Sequence, residues 1–458
     1  MKTILRYTSV ALFVSSLLLS ACAGSTATSP AEEPTMAPAT EAVESPAATE
    51  APAATEATGQ FAGQSISVAS TTGGGGTGTQ PAYETCAAQL GVTLDLVQLP
   101  YAELREKALL DFVSHTATYD VVQVDGAIWA AEMAPYLVPL DDLLKSDPLP
   151  DPEDFIPAVL NAMRVPYPSG VTYAVPIRYG TLIFHMRKDL YDAAGLTPPT
   201  NWDEYLANAQ KLTSGDVYGT LHAGKQGNFL VYNWFAFLFG HNSDFLNPDQ
   251  TASAMGDRAV EATDFWARLY YDWKVVPPGM TSYEHADVIT AMQQGVAAST
   301  ITYSPYALEF LKPDKSKFPD VNDWQWSAIP VEDEGQKSGG VGSGWGLAIN
   351  KDSQKQDLAW EFIKCATGPE MNLKVALEAA NAPVRRSVFL NPEFQKLFPA
   401  AEATLAALEG DRIRPGLTNW TAVEELLASE LSKALIGEQS AQDTIDNANE
   451  EINKLLQQ

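Results

Sequence analysis

Short apolar segments alternate with helix-like segments over residues 65–124. The apolar runs cover 65–70, 92–98 and 119–124, and helical patterns fill about 80–90 and 102–114. Strands separated by helices in this way form a mostly parallel sheet with helices on both faces. Ligands of such sheets lie beyond the carboxyl ends of the strands. The sequence therefore predicts an α/β fold, with ligand-binding positions after residue 70 and after residue 124.

The N-terminal segment MKTILRYTSVALFVSSLLLSAC has a basic start, an apolar run and then small residues. The apolar run is too short to span a membrane and is typical of a secretion signal, which we place at 1–21. Leu19–Cys22 resembles the bacterial lipobox, which implies lipid attachment to Cys22. Acyl chains hold a protein to a membrane without crossing it. We therefore expect an extracytoplasmic protein, anchored by lipid to the cell membrane.

Ala, Thr, Pro and Glu dominate the segment that follows, and AATEA occurs at both 47–51 and 53–57. A segment with so little apolar surface cannot form a core. We predict a disordered tether over 22–60. About 400 residues remain, too many for one compact core, so two lobes are expected.

The chain is strongly acidic, with 57 Asp and Glu against 29 Lys and Arg and a formal charge of −28. Such a surface repels nucleic acid, so no nucleic-acid partner is expected. Besides Cys22 there are two cysteines, Cys86 and Cys365. Their spacing does not decide whether they pair. We expect two buried free thiols.

A glycine run stands in STTGGGGTGTQPAYE, residues 70–84, and contains a literal G-x-G-x-x-G. A dinucleotide-binding turn also needs an acidic residue at the end of the next strand. The candidate, Asp95, is followed by four more residues of VTLDLVQL. Pro81 and Tyr83 also occupy positions where the helix should close against the sheet. The run is therefore not expected to bind a dinucleotide.

Motifs for metal binding and for catalysis are not found. The five histidines form no H-E-x-x-H, and the cysteines are too few for a thiolate site. Ser343 lacks the flanking glycines of a nucleophile elbow. We predict no metal, no cofactor and no catalytic residue. A glycoside hydrolase stays open as an alternative, because it needs only two carboxylates roughly 5–10 Å apart.

Several longer segments together match one protein family. They are YDVVQVDGAIWAAEMAPYLVPLDDLL (119–144), VPIRYGTLIFHMRKDLYDAAGLTPPTNWDEYLANAQKLT (175–213), GVGSGWGLAIN (340–350), NAPVRRSVF (381–389) and ELLASELSKALIGEQSAQDTIDNANEEINKLL (425–456). In this order they resemble the sugar-binding, maltose-binding-protein-like solute-binding proteins of ABC importers. The resemblance runs from about 90 to 458 and rests on the succession of segments rather than on any one of them.

The resemblance implies a two-lobe periplasmic-binding-protein fold of type II, with hinge crossings near 176, 303 and 344 and a cleft between the lobes. Each lobe then consists of two chain segments. Lobe 1 comprises 61–176 and 303–343, and lobe 2 comprises 177–302 and 344–458. The lobes are expected to close over a ligand by hinge motion.

The implied function is capture of a sugar, from mono- to oligosaccharide, and its delivery to the importer's permease. The protein would act as a monomer and perform no chemistry. One alternative is an anionic solute, a sugar phosphate or an oxyanion. The glycine loop at 71–79 would hold it through backbone N–H groups at a helix N-terminus. The glycoside hydrolase is the second alternative.

Sugars are bound by flat aromatic faces and by the planar hydrogen-bonding groups of arginine and carboxylates. Candidates of these types were chosen at strand ends, at the implied hinges and in the apolar helix at 229–240, and Arg385 matches the ligand arginine of the family. The candidate ligand-binding residues are Thr71, Thr72, Asp125, Trp129, Arg178, Tyr179, Asn233, Trp234, Tyr303, Tyr306, Trp345 and Arg385.

Overall fold

A computed structural model describes residues 59–72, 78–337, 339–380 and 382–457. The predicted signal at 1–21, Cys22, the tether as far as residue 58 and residues 73–77 of the glycine loop lie outside the described residues. Among the helices of the described part, none is both long and apolar enough to cross a bilayer.

Most strands of the described chain belong to one sheet. The strands are β1 (Ser65–Thr71), β2 (Thr93–Leu99), β3 (Val121–Asp125), β4 (Arg164–Val165), β5 (Val171–Thr172), β6 (Val175–Arg187), β7 (Ser299–Tyr303), β8 (Trp324–Ser327), β9 (Val341–Ile349) and β10 (Arg412–Ile413). The sheet has the order β2-β1-β3-β9-β6-β7, with β10 beside β9 and β8 beside β6, while β4 pairs with β5.

Helices surround this sheet. They are α1 (Gln80–Leu90), α2 (Tyr101–Ser114), α3 (Ala130–Met133), α4 (Asp141–Ser146), α5 (Pro157–Asn161), α6 (Lys188–Ala194), α7 (Trp202–Leu212), α8 (Asn228–Gly240), α9 (Asp257–Tyr271), α10 (His285–Gln294), α11 (Ala307–Phe310), α12 (Gln356–Ala366), α13 (Pro369–Ala379), α14 (Arg386–Phe389), α15 (Pro392–Leu397), α16 (Ala401–Leu408), α17 (Trp420–Leu435) and α18 (Ala441–Leu456).

The first three strands pair as predicted, because β1 is parallel to both β2 and β3. The prediction of a mostly parallel sheet is wrong for the rest. Strand β9 runs antiparallel to β3 and β6, and β7 and β8 run antiparallel to β6. The strand–helix alternation behind the prediction covers only 65–124, whereas β9 comes from a distant part of the chain.

Strand β6 joins the two main hydrophobic cores. Its first half pairs with β9, and its second half pairs with β7 and β8. Val175 and Ile177 pack in the first core, whereas Phe184 and Met186 pack in the second. Strand β6 thus passes from one core to the other.

The second core contains α8, which is buried along almost its whole length from Leu230 to Gly240. This confirms the prediction of a buried helix at 229–240. Helix α7 begins at Trp202, directly after Asn201. The Oδ1 atom of Asn201 accepts a hydrogen bond from the backbone N–H of Glu204 at 2.9 Å, which caps the helix.

Cys86 on α1 and Cys365 on α12 form a disulfide, with their Cα atoms 5.8 Å apart. The expectation of free thiols was therefore wrong. Helices α1 and α12 pack against each other in the first core, with Tyr83 beside Phe362 at 5.8 Å between ring centroids. This packing brings together two residues separated by 279 positions in the sequence.

Candidate functional site

Three candidate side chains form a row across the sheet. Asp125, the last residue of β3, lies opposite Trp345 on β9. Trp345 in turn lies opposite Arg178 on β6. Directly opposed residues of neighbouring strands project from the same face of a sheet. The carboxylate, the indole and the guanidinium therefore share one face.

A β-bulge sets the position of Arg178. The pairing of β6 with β9 shifts by one residue between Pro176 and Arg178. An extra residue in one strand re-aims the side chains that follow it. The next residue, Tyr179, points to the opposite face, where its hydroxyl donates to Oδ2 of Asp411 at 3.0 Å. Arg178 and Tyr179 were both candidates, and the structure places their side chains on opposite faces of the sheet.

Aromatic rings cluster around Trp345. Its ring centroid lies 5.2 Å from that of Trp129 and 5.6 Å from that of Tyr101. Trp129 is buried and Trp345 half-buried, while Tyr101 is 42% exposed. Trp345 and Tyr101 thus present ring surface to solvent, and Trp129 supports them from below. Tyr101 is the first residue of α2, two positions after the end of β2, and was not among the candidates.

The Asp125 carboxylate is held in a fixed orientation. Its Oδ1 atom accepts from the backbone N–H groups of Ala127 at 3.0 Å and Ile128 at 3.2 Å, and its Oδ2 atom accepts from the Tyr101 hydroxyl at 3.2 Å. Burial raises the pKa of Asp125, and the charge of Arg414 opposes that rise. The network fixes a buried acceptor beside the ring cluster.

Two tyrosines extend the site from Arg178 toward α10. The Tyr303 hydroxyl packs against Gly180, where an added Cβ would stand only 2.5 Å from it. Burial raises the pKa of Tyr303, and the charge and hydrogen bond of Arg178 partly offset this. The Tyr306 ring follows at 5.8 Å between centroids. Both tyrosines are half-buried. These two candidates therefore lie side by side next to the row and keep part of their surface accessible.

Arg414 was not among the candidates. It is paired with Glu424, and its charge also acts on Asp125. Its Nη1 atom donates to Oε1 of Glu424 at 2.7 Å, in a nearly buried ion pair. Its guanidinium carbon lies 4.8 Å from the ring centroid of Tyr232 and 5.7 Å from that of Trp420. The charge acts on Asp125 as well as on Tyr232. In the sequence, RIRPG at 412–416 gives only an arginine before a proline, which is no specific signal.

His285, at the start of α10, was also missed. Its Nδ1 atom and the Tyr306 hydroxyl are hydrogen-bonded at 3.3 Å. Its ring stacks on Phe229 at 3.9 Å between centroids and lies 6.1 Å from Tyr232. Burial, aided by the charge of Arg414, lowers the pKa of His285 to about 4. The imidazole is therefore neutral at physiological pH.

Asn233 and Trp234 lie inside the second core rather than with the cluster. The amide of Asn233 donates to the carbonyl of Ile301 at 3.1 Å and accepts from the N–H of Ala223 at 3.1 Å. The Trp234 indole donates to Oγ1 of Thr263 at 3.0 Å. Trp234 is entirely buried. Their contacts are those of core residues, because every face of α8 is covered.

Arg385 is buried under the first core, away from the row. Its guanidinium donates to the carbonyl oxygens of Thr367, Asp151 and Pro150 at 2.9–3.0 Å. It also stacks on Phe155 at 3.9 Å. Burial lowers the pKa of Arg385 to about 10. These bonds tie the 150–151 loop to the end of α12, which is a structural role.

Thr71 and Thr72 end β1 at the carboxyl edge of the sheet. Thr71 is buried, and its backbone N–H donates to Oε1 of Gln123 at 3.0 Å. Thr72 is exposed, and its N–H donates to the carbonyl of Leu99 at 2.7 Å. The four glycines at 73–76 and Thr77, which follow them, are outside the described residues. The predicted anion loop is therefore described only at its two ends.

A cavity of about 460 Å³ lies elsewhere in the described chain. Its walls include Tyr167, Phe239, Asp244 and Arg412. Arg412 stacks on Phe239 at 4.0 Å and pairs with Asp244. No candidate ligand-binding residue lines this cavity, so the ring cluster and the cavity are separate features.

The model of the family described as bacterial extracellular solute-binding protein matches residues 69–373, well over half of the chain. The chain belongs to this family. The resemblance drawn from the sequence is confirmed. Because the family consists of transport binding proteins and not enzymes, the prediction of no enzymatic activity is confirmed as well, and the glycoside hydrolase alternative is set aside.

Known proteins with similar sequences and folds are also binding proteins of ABC transporters. A probable amino-acid ABC transporter periplasmic-binding protein of Sinorhizobium fredii is 23% identical over 357 residues, 77% of this chain and 79% of that protein. A ribitol complex of an ABC transporter solute-binding protein from Agrobacterium radiobacter K84 is 26% identical, with a TM-score of 0.70, and covers 86% of this chain and 99% of that one. Maltose-bound MalE3 of T. maritima is 24% identical, with a TM-score of 0.70, covering 85% and 99%.

These structural matches confirm the predicted fold class. The solute-binding protein has the type II periplasmic-binding-protein fold of the MalE-like proteins. In this fold the described ring cluster lies where the two main cores meet. Ile128, next to Trp129, borders both cores, Trp345 packs against the first core, and Tyr303 packs against the second.

Proposed function

We propose that this solute-binding protein captures a sugar or polyol for an ABC importer and delivers it to the membrane permease. The observation that carries the proposal is the row Asp125–Trp345–Arg178 on one face of the sheet. In this row Trp345, together with the neighbouring Tyr101, presents ring surface to solvent. Flat rings pack against the C–H surface of a sugar. A carboxylate and a guanidinium bind neighbouring hydroxyls through charge-assisted hydrogen bonds.

The related proteins support this ligand class. The Agrobacterium protein was solved with ribitol and MalE3 with maltose. The name of the Sinorhizobium relative gives an amino acid instead. The site itself offers ring faces and balanced charge, which suit an uncharged hydroxylated ligand better than a zwitterion.

The proposed action is closure of two lobes about the strands between the cores. The expected lobe segments, 61–176 with 303–343 and 177–302 with 344–458, do not match the two cores. Residues of 347–413 pack with residues of 66–177 in the first core, where Cys86 is bonded to Cys365. Ile329 and Val341 pack with residues of 182–301 and 420–452 in the second core, so we place the two lobes at these two cores. Strand β6 supports the first crossing, because its residues change from the first core to the second near Thr181. Ligand held between Trp345 and Tyr303 stabilises the closed form by the difference in its affinity for the two forms. The lipobox motif supports anchoring through Cys22, which would keep the protein beside its permease. We propose that it acts there as a monomer.

A thermal-shift screen of the purified chain tests the function. The panel contains maltose, D-glucose, D-mannitol and ribitol, with amino acids, inorganic phosphate and glucose 6-phosphate as the other ligand classes. A ligand at 100 times its Kd stabilises the folded state by about 2.7 kcal/mol. A shift with a sugar or polyol is the expected result. Shifts confined to phosphate, sugar phosphate or amino acids would contradict the proposal.

Trp345→Ala is expected to weaken binding of the active sugar or polyol roughly tenfold to a hundredfold, because a stacked ring contributes about 1–3 kcal/mol. Isothermal titration calorimetry measures the change. Trp324→Ala removes a buried indole from the strand β8 region, outside the site, and serves as the control for a general loss of packing. Unaltered affinity in Trp345→Ala would remove this ring from the site.

Gly180→Ala is expected to weaken binding about tenfold. The new methyl group would push the Tyr303 hydroxyl away by about 1 Å, and a displacement of this size spoils the geometry of its contact with the ligand. The matched control is Gly256→Ala, where an added Cβ meets no atom within 4 Å. Both affinities are measured by titration calorimetry. Equal affinities of the two variants would show that the position of Tyr303 does not matter for the ligand.

A further inference from the structure

Two buried donors beside Tyr232 have no protein partner. Arg414 is 4% exposed and His285 is 6% exposed. In the part of the chain that the structure describes, the Nε atom of Arg414 and the Nε2 atom of His285 make no hydrogen bond. Buried polar atoms in folded proteins almost always find a partner. A pair of exceptions at one site therefore needs an explanation.

The two groups flank the same ring. The guanidinium carbon of Arg414 lies 4.8 Å from the Tyr232 centroid, and the imidazole of His285 lies 6.1 Å from it. Their other polar atoms are already engaged, since Nη1 of Arg414 bonds Glu424 and Nδ1 of His285 bonds the Tyr306 hydroxyl. The remaining atoms thus belong to groups held in fixed orientations, next to Tyr306 at the end of the proposed site.

We propose that His285 and Arg414 form a hydroxyl-recognition subsite, in which Nε of Arg414 donates one hydrogen bond to a hydroxyl of an uncharged polyhydroxylated ligand and Nε2 of His285 makes one hydrogen bond with the same hydroxyl. The inference rests on the proposed function and deepens it. It assigns the end of the ligand beside Tyr232 to a hydroxyl group rather than to a carbon-bound hydrogen, a carboxylate or a phosphate.

Charge balance selects the hydroxyl. Arg414 is neutralised by Glu424 at 2.7 Å, and the neighbouring imidazole is neutral. An anion would find no net positive charge here and would have to shed its hydration shell. A hydroxyl can accept from the arginine N–H, and it can either accept from or donate to Nε2, whichever tautomer His285 adopts. It is the ligand group that satisfies both atoms without a change of charge.

The test combines removal of single hydroxyl groups from the ligand with removal of the His285 imidazole from the protein. D-mannitol and D-glucose are titrated into the full chain together with their monodeoxy derivatives. One derivative of the bound parent is expected to bind roughly tenfold to a hundredfold more weakly, because it leaves buried donors unpaired. In His285→Phe, which keeps a ring on Phe229, this difference should vanish. His241→Phe, at a buried histidine stacked on Trp202 in the second core, is the control and should keep it.

Two further measurements secure the result against a variant that fails to fold. Arg414→Lys retains the charge opposite Glu424 but loses the Nε donor, and should lose the same discrimination. In the wild-type chain labelled with ¹⁵N-histidine, the Nε2 resonance of His285 should shift when D-mannitol or D-glucose saturates the site. Unchanged discrimination in folded His285→Phe, or an unshifted resonance at saturation, would overturn the subsite alone. Absence of binding by every sugar and polyol would instead overturn the proposed function and the subsite with it.

Discussion

Removing the disulfide in a Cys86→Ala/Cys365→Ala chain is expected to lower the free energy of unfolding by about 2–5 kcal/mol. The bridge closes a loop across a sequence separation of 279 residues, which greatly restricts the unfolded chain. It also fixes α1 against α12 in the first core. Urea denaturation followed by tryptophan fluorescence measures the loss.

Reduction supplies the control for this prediction, since it breaks the bond without changing the side chains. Cys365 is half-buried, which gives a small reductant access to the bond. Dithiothreitol should lower the urea midpoint of the wild-type chain toward that of the double variant and leave the variant unaffected. A wild-type midpoint that does not respond to full reduction would contradict the prediction. Ligand affinity should survive, because neither cysteine belongs to the proposed site.

Asp411→Asn is expected to stabilise the protein against the wild type increasingly as the pH rises, by about 3–5 kcal/mol between pH 4 and pH 8. Asp411 is buried and accepts hydrogen bonds from the hydroxyls of Tyr179 at 3.0 Å and Thr181 at 2.6 Å. Burial raises its pKa to about 8, against the opposing effect of these bonds. An unfolded carboxyl releases its proton near pH 4.

The sign of the pH dependence follows from the folded and unfolded pKa values of Asp411. Below pH 4 both states hold the proton, so the carboxyl does not favour unfolding. Between pH 4 and pH 8 the unfolded chain releases the proton while the folded chain keeps it, and the wild type loses about 1.4 kcal/mol per pH unit. The amide of the Asn variant has no such proton. Chemical denaturation at a series of pH values gives the difference.

Asp142→Asn is the matched control, because it makes the same replacement at a fully exposed side chain. Its stability should follow that of the wild type across the pH series. A constant difference between Asp411→Asn and the wild type at all pH values would contradict the raised pKa. Because Tyr179 and Thr181 of β6 bond to Asp411, which directly precedes β10, the same substitution also tests whether this buried contact sets the pH range in which the two strands stay joined.

The fold could be predicted well from the sequence. The alternation over 65–124 placed β1, α1, β2, α2 and β3 within a few residues, and the ordered family segments gave the architecture of the rest. The antiparallel insertion of β9 could not be deduced, because strand order depends on contacts between distant segments. The Cys86–Cys365 bridge was missed for the same reason.

The sequence predicted part of the proposed site. Asp125, Trp129 and Trp345 were candidates because strand ends and a glycine-flanked tryptophan leave local signals, and the structure brings them together. Arg385 and Trp234 have the right chemistry for a ligand but are used in packing, and sequence does not distinguish the two uses. Arg414 and His285 were not candidates, because their proposed role depends on neighbours that folding brings to them.

The irregularity in β6 bears on how ligand preference can change among related chains. Had the strand continued from Val175 without the extra residue, Ile177 would oppose Trp345 and Arg178 would face away. The choice between an aliphatic and a cationic wall is thus made by chain length rather than by residue identity. If the proposed site is correct, gain or loss of one residue here would exchange Arg178 for Ile177 in its wall and so change its ligand preference.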